Sequence, residues 1–371
     1  MKKIVIATDG FLPRWDGIVR FLLEIVPKLE EHYEVRILAP KFEGDYYNPF
    51  NCEVIRFDLL KIKFGDIFFA KPASQKKYIE DADLVFVQSL GSIGMSAIRA
   101  AHKLNKPIAV YTHLLEWDLA VKSIKRFKKI SKHLAIRFTR KFYNKCDLLM
   151  CPTEEVALKY DKIKVRTPKK IISLGTDTNI FIPAENKEEA KRNIGIEPEK
   201  TVIGYHGRLG REKDLITLYR AFRRIESKHK NVKLLIVGEG VKDQEAIFSS
   251  QRNIIMPGSK MDVVPYLQAM DIYVLPSLTE TTSLCTLEAM SCGLPVISTP
   301  VGYVKDYIEE RENGMLFPFR NSMRLSMKIE LLMKDKELKD RLGKKARETI
   351  QEKFNWNNTY REVKETIDGL L

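Results

Sequence analysis

Three stretches decide the fold: KKIVIATDG (Lys2–Gly10), a helical pattern from Ile18 to Leu29, and EVRILAP (Glu34–Pro40). The first is a short β-branched run that ends in a polar turn. The second repeats apolar residues at helical spacing, and the third is again a short apolar run. Strand, helix and strand in immediate succession make a βαβ unit. Working outward, LVFVQ (Leu84–Gln88), IAVYTH (Ile108–His113) and DLLMCP (Asp147–Pro152) are further strands with helical stretches between them. Such alternation predicts a parallel sheet with helices on both faces.

The pattern breaks over residues 160–185, at Pro168, Gly175 and Pro183, and then restarts. TVIGYHGRL (Thr201–Leu209), VKLLIVGEG (Val232–Gly240), NIIMPGS (Asn253–Ser259), DIYVLP (Asp271–Pro276) and LPVISTP (Leu294–Pro300) are five more strands separated by helices. Two doubly wound α/β domains follow, residues 1–168 and 169–353. The amphipathic segment 354–371 lacks a following strand and is expected to pack back on the first domain. The length of 371 residues fits two cores better than one.

With 44% hydrophobic and 30% charged residues the chain reads as soluble and globular, which excludes disorder and fibrous structure. The apolar run after Lys3 is too short for a signal peptide, and the longest uncharged stretches carry Gly, Ser, Gln or Pro. Neither a membrane span nor secretion is expected. Five cysteines (Cys52, Cys146, Cys151, Cys285, Cys292) form no C-x-x-C and have no histidine at metal spacing, so neither a disulfide framework nor a zinc site is expected.

The formal charge of +14 is concentrated in one element. From Leu119 to Cys146 the chain carries Lys122, Lys125, Arg126, Lys128, Lys129, Lys132, Arg137, Arg140, Lys141 and Lys145, and no acid. Apolar residues recur at Val121, Ile124, Phe127, Ile130, Leu134, Phe138 and Phe142, three or four apart. The spacing predicts one helix from Val121 to Phe142, apolar on one face and cationic on the other. Such a helix suits an anionic membrane surface.

In open parallel sheets ligands sit beyond the carboxyl ends of the strands. Three strand-end segments carry chemistry. Ser277-Leu-Thr-Glu280-Thr-Thr-Ser-Leu-Cys-Thr-Leu-Glu288 follows DIYVLP and runs into a helix. Free N–H groups of Thr282, Ser283 and Leu284 at that helix start suit a phosphate. Glu280 and Glu288, both expected toward the loop side, suit sugar hydroxyls. His206-Gly207-Arg208-Leu-Gly-Arg-Glu-Lys213-Asp214 places a sharp turn at Gly207 and two cations, Arg208 and Lys213, by another strand end. Phe11-Leu-Pro13-Arg-Trp-Asp16-Gly17 precedes the first helix, where Asp16 and Gly17 are candidates for a phosphate or an acceptor hydroxyl. Asp81-Ala-Asp83 has the spacing of a metal-binding pair, but it precedes its strand, and no metal role is expected.

Together, HGRLGREKD, the E-x7-E of TETTSLCTLEAM followed by CGLPVIS, LGTDTNIF, PRWDGIVRF and YTH resemble glycosyltransferase family 4, the retaining GT-B enzymes. The resemblance spans nearly the whole chain in the expected order. It implies two Rossmann-like domains facing a cleft, a C-terminal helix crossing back to the N-terminal domain, a nucleotide-sugar donor on the C-terminal domain, an acceptor on the N-terminal domain, and no cofactor or required metal. On that pattern Arg208 and Lys213 contact the donor diphosphate, Glu288 the ribose, Glu280 the transferred sugar, and His113 reaches the same sugar. Transfer with retained configuration from a UDP- or GDP-sugar is implied, with the leaving phosphate accepting the acceptor's proton.

This chain departs from the family pattern at three places. Thr281-Thr-Ser283 stands where many members have Gly-Phe-Gly, Asp16-Gly17 where many have Gly-Gly, and Asp214 where most have Gly. The side chains of Thr282 and Ser283 predict a narrower sugar pocket. With the basic helix, the resemblance favours a lipid or lipid-linked saccharide acceptor and a peripheral location at the cytoplasmic membrane face. The alternatives are a nucleotide-sugar epimerase of the same fold and a basic nucleic-acid-binding protein. Against the latter, the basic stripe and the strand-end motifs lie in different domains and aromatic stacking motifs are missing.

Overall fold

The computed structural model describes residues 1–14, 16–64, 67–71, 75–123, 128–248 and 252–371. The chain divides into two compact units, one of Met1–Leu174 with Trp356–Leu371, the other of Gly175–Asn355.

The first unit is built on an eight-stranded sheet: β1 (Lys3–Ala7), β2 (Glu34–Lys41), β3 (Glu53–Phe64), β4 (Ile67–Ala70), β5 (Leu84–Val87), β6 (Ile108–Tyr111), β7 (Leu148–Cys151) and β8 (Lys169–Ile171). Its order is β4-β3-β2-β1-β5-β6-β7-β8, parallel throughout except for the β3–β4 pair. Ile4 to Ala7, Leu84 to Val87 and Ala109 to Tyr111 have no solvent exposure. Helices cover both faces of these strands, which is why they read as unbroken apolar runs.

β8 corrects the expected boundary. Lys169–Ile171 pairs in parallel with β7 and so extends the first sheet; it does not open a second. The division therefore falls after Leu174, not at 168. The closing helix Trp356–Asp368 joins this unit, burying Trp356, Val363 and Ile367. Lys28 Nζ donates to Asn357 Oδ1 at 2.8 Å and Tyr360 donates to the Lys28 carbonyl at 2.9 Å, fixing it to the helix Gly17–Glu30.

The second unit carries β9 (Thr201–His206), β10 (Val232–Val237), β11 (Ile254–Gly258), β12 (Ile272–Leu275), β13 (Val296–Ser298) and the two-residue β14 (Met315–Leu316). The order β11-β10-β9-β12-β13-β14 is entirely parallel. Chain order reverses between β9 and β12, so their carboxyl ends form the switch point at which such sheets bind ligands. In the first unit the corresponding point lies between β1 and β5.

The basic segment also differs from expectation. In place of one helix over Val121–Phe142 there are two, Glu116–Ser123 and Lys128–Tyr143, which pack on each other. Lys125, Arg126, Ile124 and Phe127 lie outside the described residues. Lys122 and Lys128 fall within the two helices.

Candidate functional site

Two loops meet at the switch point of the second unit. The turn after β9 runs through Gly207 and Arg208 to a short 3-10 turn, Arg211–Lys213, and then the helix Leu215–Glu226. The loop after β12 leads to the helix Leu284–Ser291. Leu278 N–H donates to the Glu212 carbonyl at 2.7 Å, so the loops are joined through their backbones. Gly207 has φ +131, and a Cβ there would lie 3.2 Å from both Cys285 Sγ and Tyr205 Oη. Only glycine takes that turn without strain.

Within this frame the cations and carboxylates sort into separate pairs. Lys213 Nζ lies 2.6 Å from Glu280 Oε1, and Ser277 Oγ donates to the same oxygen at 2.7 Å. Burial pushes the Lys213 ammonium down, but the Glu280 carboxylate outweighs it and holds the pKa above its ordinary value. Arg208 pairs with Glu212 and is 58% exposed, free to turn toward an incoming anion. Its carbonyl accepts from Tyr205 Oη at 2.9 Å, which fixes the turn.

Glu288 has a different partner from Glu280. It lies in the second turn of its helix, where its Oε2 is 2.8 Å from Nε2 of His206, the last residue of β9. Burial pushes the His206 imidazole down, while Cys285 and Glu288 beside it more than offset this and lift it to about 10. The imidazolium form donates to Glu288 and fixes its carboxylate. No signal in the sequence gave His206 a role of its own, because its partner is 82 positions away.

The helix start at Ser283 keeps free donors. Among the described residues no acceptor takes the N–H groups of Thr282, Ser283 or Leu284. Leu284 is the first helical residue. The Thr282 side chain is wholly buried, its hydroxyl without a partner among the described residues, and its carbonyl accepts from Tyr307 Oη at 2.9 Å. Ser283 Oγ is engaged with Thr286 Oγ1 at 2.9 Å. The expected narrowing by these two side chains is not what the structure gives. A run of free N–H groups at a helix N-terminus carries partial positive charge and suits a phosphate.

In the first unit, His113 follows β6. Its Nε2 is 3.0 Å from Gln88 Oε1, and its ring packs against Phe21 and Tyr111. Burial alone pushes its pKa down to about 3, so the imidazole is neutral. With Nε2–H donating to Gln88, Nδ1 presents a lone pair. Asp16 caps the helix Gly17–Glu30: its Oδ1 accepts from Ile18 N–H at 2.9 Å and Val19 N–H at 3.1 Å. A phosphate at that helix start would meet a carboxylate already holding the donors, so the segment suits a neutral hydroxyl better than an anion. Gly17 has open space around it. Asp9, unmarked in the sequence, takes the N–H groups of Gly91, Ile93 and Gly94 at the start of the helix Ser92–Lys103. Asp81 and Asp83 are engaged by Lys3, Arg36 and Lys2.

The helix Lys128–Tyr143 presents Ile130, Leu134 and Phe138 to solvent at 58%, 49% and 51% exposure, while Phe142 is buried. Steps of four advance about 40° around a helix, which turns the stripe from solvent into the core by its last member. Lys129, Lys132, Arg137, Arg140 and Lys141 are exposed around it. None of the described helices is long and apolar enough to cross a membrane.

Residues 15–180 match the family model described as Glycosyltransferase Family 4, and residues 186–349 the one described as Glycosyl transferases group 1. The alpha-monoglucosyldiacylglycerol synthase of Streptococcus pneumoniae is 24% identical over 85% of this chain and 75% of its own length. The sulfoquinovosyl transferase SQD2 of Arabidopsis thaliana is 26% identical over 94% of this chain and 68% of its own. The crystal structure of Anabaena Alr3699/HepE in complex with UDP-glucose superposes with a TM-score of 0.78 at 16% identity, covering all of both chains.

Proposed function

From the premise that this chain belongs to glycosyltransferase family 4 and is a glycosyltransferase of the GT-B fold, we propose that it transfers a sugar from a UDP- or GDP-sugar to a lipid or lipid-linked hydroxyl, with retained configuration and without a metal. The observation that carries this reading is the switch point of the second unit. There the free N–H groups of Thr282, Ser283 and Leu284 stand in a loop tied by its backbone to the turn bearing Arg208 and Lys213. Two cations and a helix N-terminus neutralise a departing diphosphate.

The roles follow from the chemistry of each group. Arg208, exposed and paired with Glu212, swings onto the diphosphate as a bidentate fork. Lys213 offers a point charge from its place beside Glu280. Glu288, held by His206, accepts from the ribose hydroxyls, and the second oxygen of Glu280 accepts from the transferred sugar. His113 is neutral and cannot act as a cation; its Nδ1 accepts from a sugar hydroxyl. In the reaction the bond from the anomeric carbon to the diphosphate oxygen breaks. The bond to the acceptor oxygen forms on the same face, and the acceptor proton passes to the leaving phosphate.

A lipid acceptor is supported by the exposed stripe Ile130, Leu134 and Phe138 within a cationic surface. Insertion of the apolar side chains and attraction of about 1 kcal/mol per Lys or Arg near an anionic leaflet act together. The relative from Streptococcus pneumoniae is named for a diacylglycerol glycolipid. The same helix supports a peripheral position at the cytoplasmic face of the membrane.

Thermal unfolding with UDP, GDP, ADP and CMP tests the donor site. A nucleotide at 100 times its dissociation constant adds about 2.7 kcal/mol. Stabilisation by UDP or GDP alone, lost in Glu288→Ala, is the expected result. No shift with any nucleotide would overturn the donor assignment.

A further inference from the structure

One side-chain cluster beside the donor groups has a chemistry that nucleotide binding does not use. His206, Cys285 and Glu288 each offer a ligand atom within 4.8 Å of the other two, and no other set of three His, Cys, Asp or Glu side chains does so among the described residues. Glu288 Oε2 already stands 2.8 Å from His206 Nε2. His206 is 3% exposed, and its Nδ1 is buried with no hydrogen-bond partner. Cys285 carries a free, partly exposed thiol, whereas Cys146, Cys151 and Cys292 are enclosed.

A thiolate, an imidazole and a carboxylate are the ligand types of zinc, bound at about 2.3, 2.0–2.1 and 2.0–2.2 Å. Tetrahedral geometry at those lengths separates the ligand atoms by about 3.5 Å, within side-chain adjustment of the observed cluster. Hard cations that prefer all-oxygen shells find only one carboxylate here. The partial exposure of Cys285 and Glu288 leaves an entry path and room for a fourth ligand. Cys285 lies in the first turn of the helix Leu284–Ser291 and His206 ends β9, so no local motif announces the set.

We propose that His206, Cys285 and Glu288 bind a zinc-class divalent cation, and that this cation and the donor nucleotide compete for Glu288. A bound cation takes Cys285 as thiolate and His206 as neutral imidazole, and it draws the carboxylate that would otherwise receive the ribose. The cation therefore inhibits transfer and takes no part in it. The competition rests on the donor reading above; the cation site does not.

Cobalt(II) is a spectroscopic substitute for zinc. The full-length protein, stripped with chelator, is titrated with Co2+ alone and the thiolate-to-metal charge-transfer absorption is followed. The wild type should develop the band and Cys285→Ser should not, with Cys285→Ala as a second variant if the first unfolds. Glu288→Gln should weaken Co2+ binding by about ten-fold or more. No band in the wild type, or a band kept in both Cys285 variants, would overturn the site. UDP should displace the cobalt; a cobalt band in the wild type untouched by saturating UDP overturns the competition and the assignment of Glu288 to the ribose, and leaves the cation site standing.

Discussion

Replacing Lys213 and Arg208 separates folding from turnover, because the two cations are held so differently. The Lys213 and Glu280 side chains are 19% and 9% exposed and 2.6 Å apart. Lys213→Met leaves the Glu280 carboxylate in a nearly dry site with one remaining donor, Ser277 Oγ. Breaking a buried pair by removing one partner costs roughly 3–5 kcal/mol, and the surviving hydroxyl contact and slight solvent access bring the expectation to about 2–4 kcal/mol. Lys213→Met with Glu280→Gln removes both charges and should recover most of that, so the double-mutant coupling is about 2 kcal/mol. Arg208→Ala removes an exposed pair and should change stability by less than about 1 kcal/mol. Its turnover, however, should fall roughly a hundred- to a thousand-fold, the effect of losing one preorganised charge on the leaving group. Denaturant unfolding of the wild type, Lys213→Met, Glu280→Gln and the double variant gives the cycle, with the second unit's transition fitted separately because the chain has two cores. Release of nucleoside diphosphate gives turnover. Additive single effects would refute the coupled pair, and wild-type turnover in Arg208→Ala would refute its place on the diphosphate.

Three further outcomes are expected. Glu116 accepts from Tyr143 and Tyr160, and its burial, outweighing those hydrogen bonds, lifts it from 4.5 to about 7. A folded pKa above the unfolded one means that protonated Glu116 favours the fold, a contribution complete below pH 4.5 and lost as pH rises through 7, about 3 kcal/mol in all. Thermal unfolding from pH 5 to 8 should show the first unit weakening with pH in the wild type and the trend flattened in Glu116→Gln; parallel trends would contradict it. Ser283, at φ +62, tolerates Gly within about 1 kcal/mol, whereas the β-branched Ser283→Val should cost about 2 kcal/mol or more, measured by denaturant unfolding. Ile130, Leu134 and Phe138 changed together to Ser should abolish cosedimentation with anionic vesicles without lowering the melting temperature; retained binding would remove the stripe from the membrane reading.

Much of the fold was legible because central strands of a parallel sheet are buried on both faces. β1, β5, β6, β7, β9, β10 and β12 announce themselves as apolar runs for that reason. β3 was not legible: Arg56, Asp58, Lys61 and Lys63 interrupt Glu53–Phe64, and the strand ends in an antiparallel arm with β4. β8, at the sheet edge, opens with two lysines, a composition that keeps edges from pairing with other chains, and so it read as the start of a new domain. The pairs that set the site's charge, Lys213 with Glu280 and His206 with Glu288, join segments far apart in sequence, and local spacing carries no trace of them.

The departures from the family pattern are the most informative test of what sequence alone conveys. Where most members have glycine, Asp214 adopts φ +48, and Ser283, in the stretch where many have Gly-Phe-Gly, adopts φ +62, both in the left-handed region that glycine enters freely. The backbone therefore keeps the path that glycine would give it, and each substitution only adds a side chain. Both side chains turn into the first turn of the helix they precede. Asp214 Oδ2 accepts from Thr217 Oγ1 at 2.7 Å, and Ser283 Oγ meets Thr286 Oγ1 at 2.9 Å. Thr282 is wholly enclosed. What each side chain adds is one bond to a threonine hydroxyl in that first turn; neither takes a backbone N–H of its helix, so the helix-start donors stay free. The choice of donor sugar then falls to groups whose polar atoms remain available, Glu280 and the backbone N–H groups of Thr282 to Leu284, and the Thr-Thr-Ser stretch is not by itself a specificity filter.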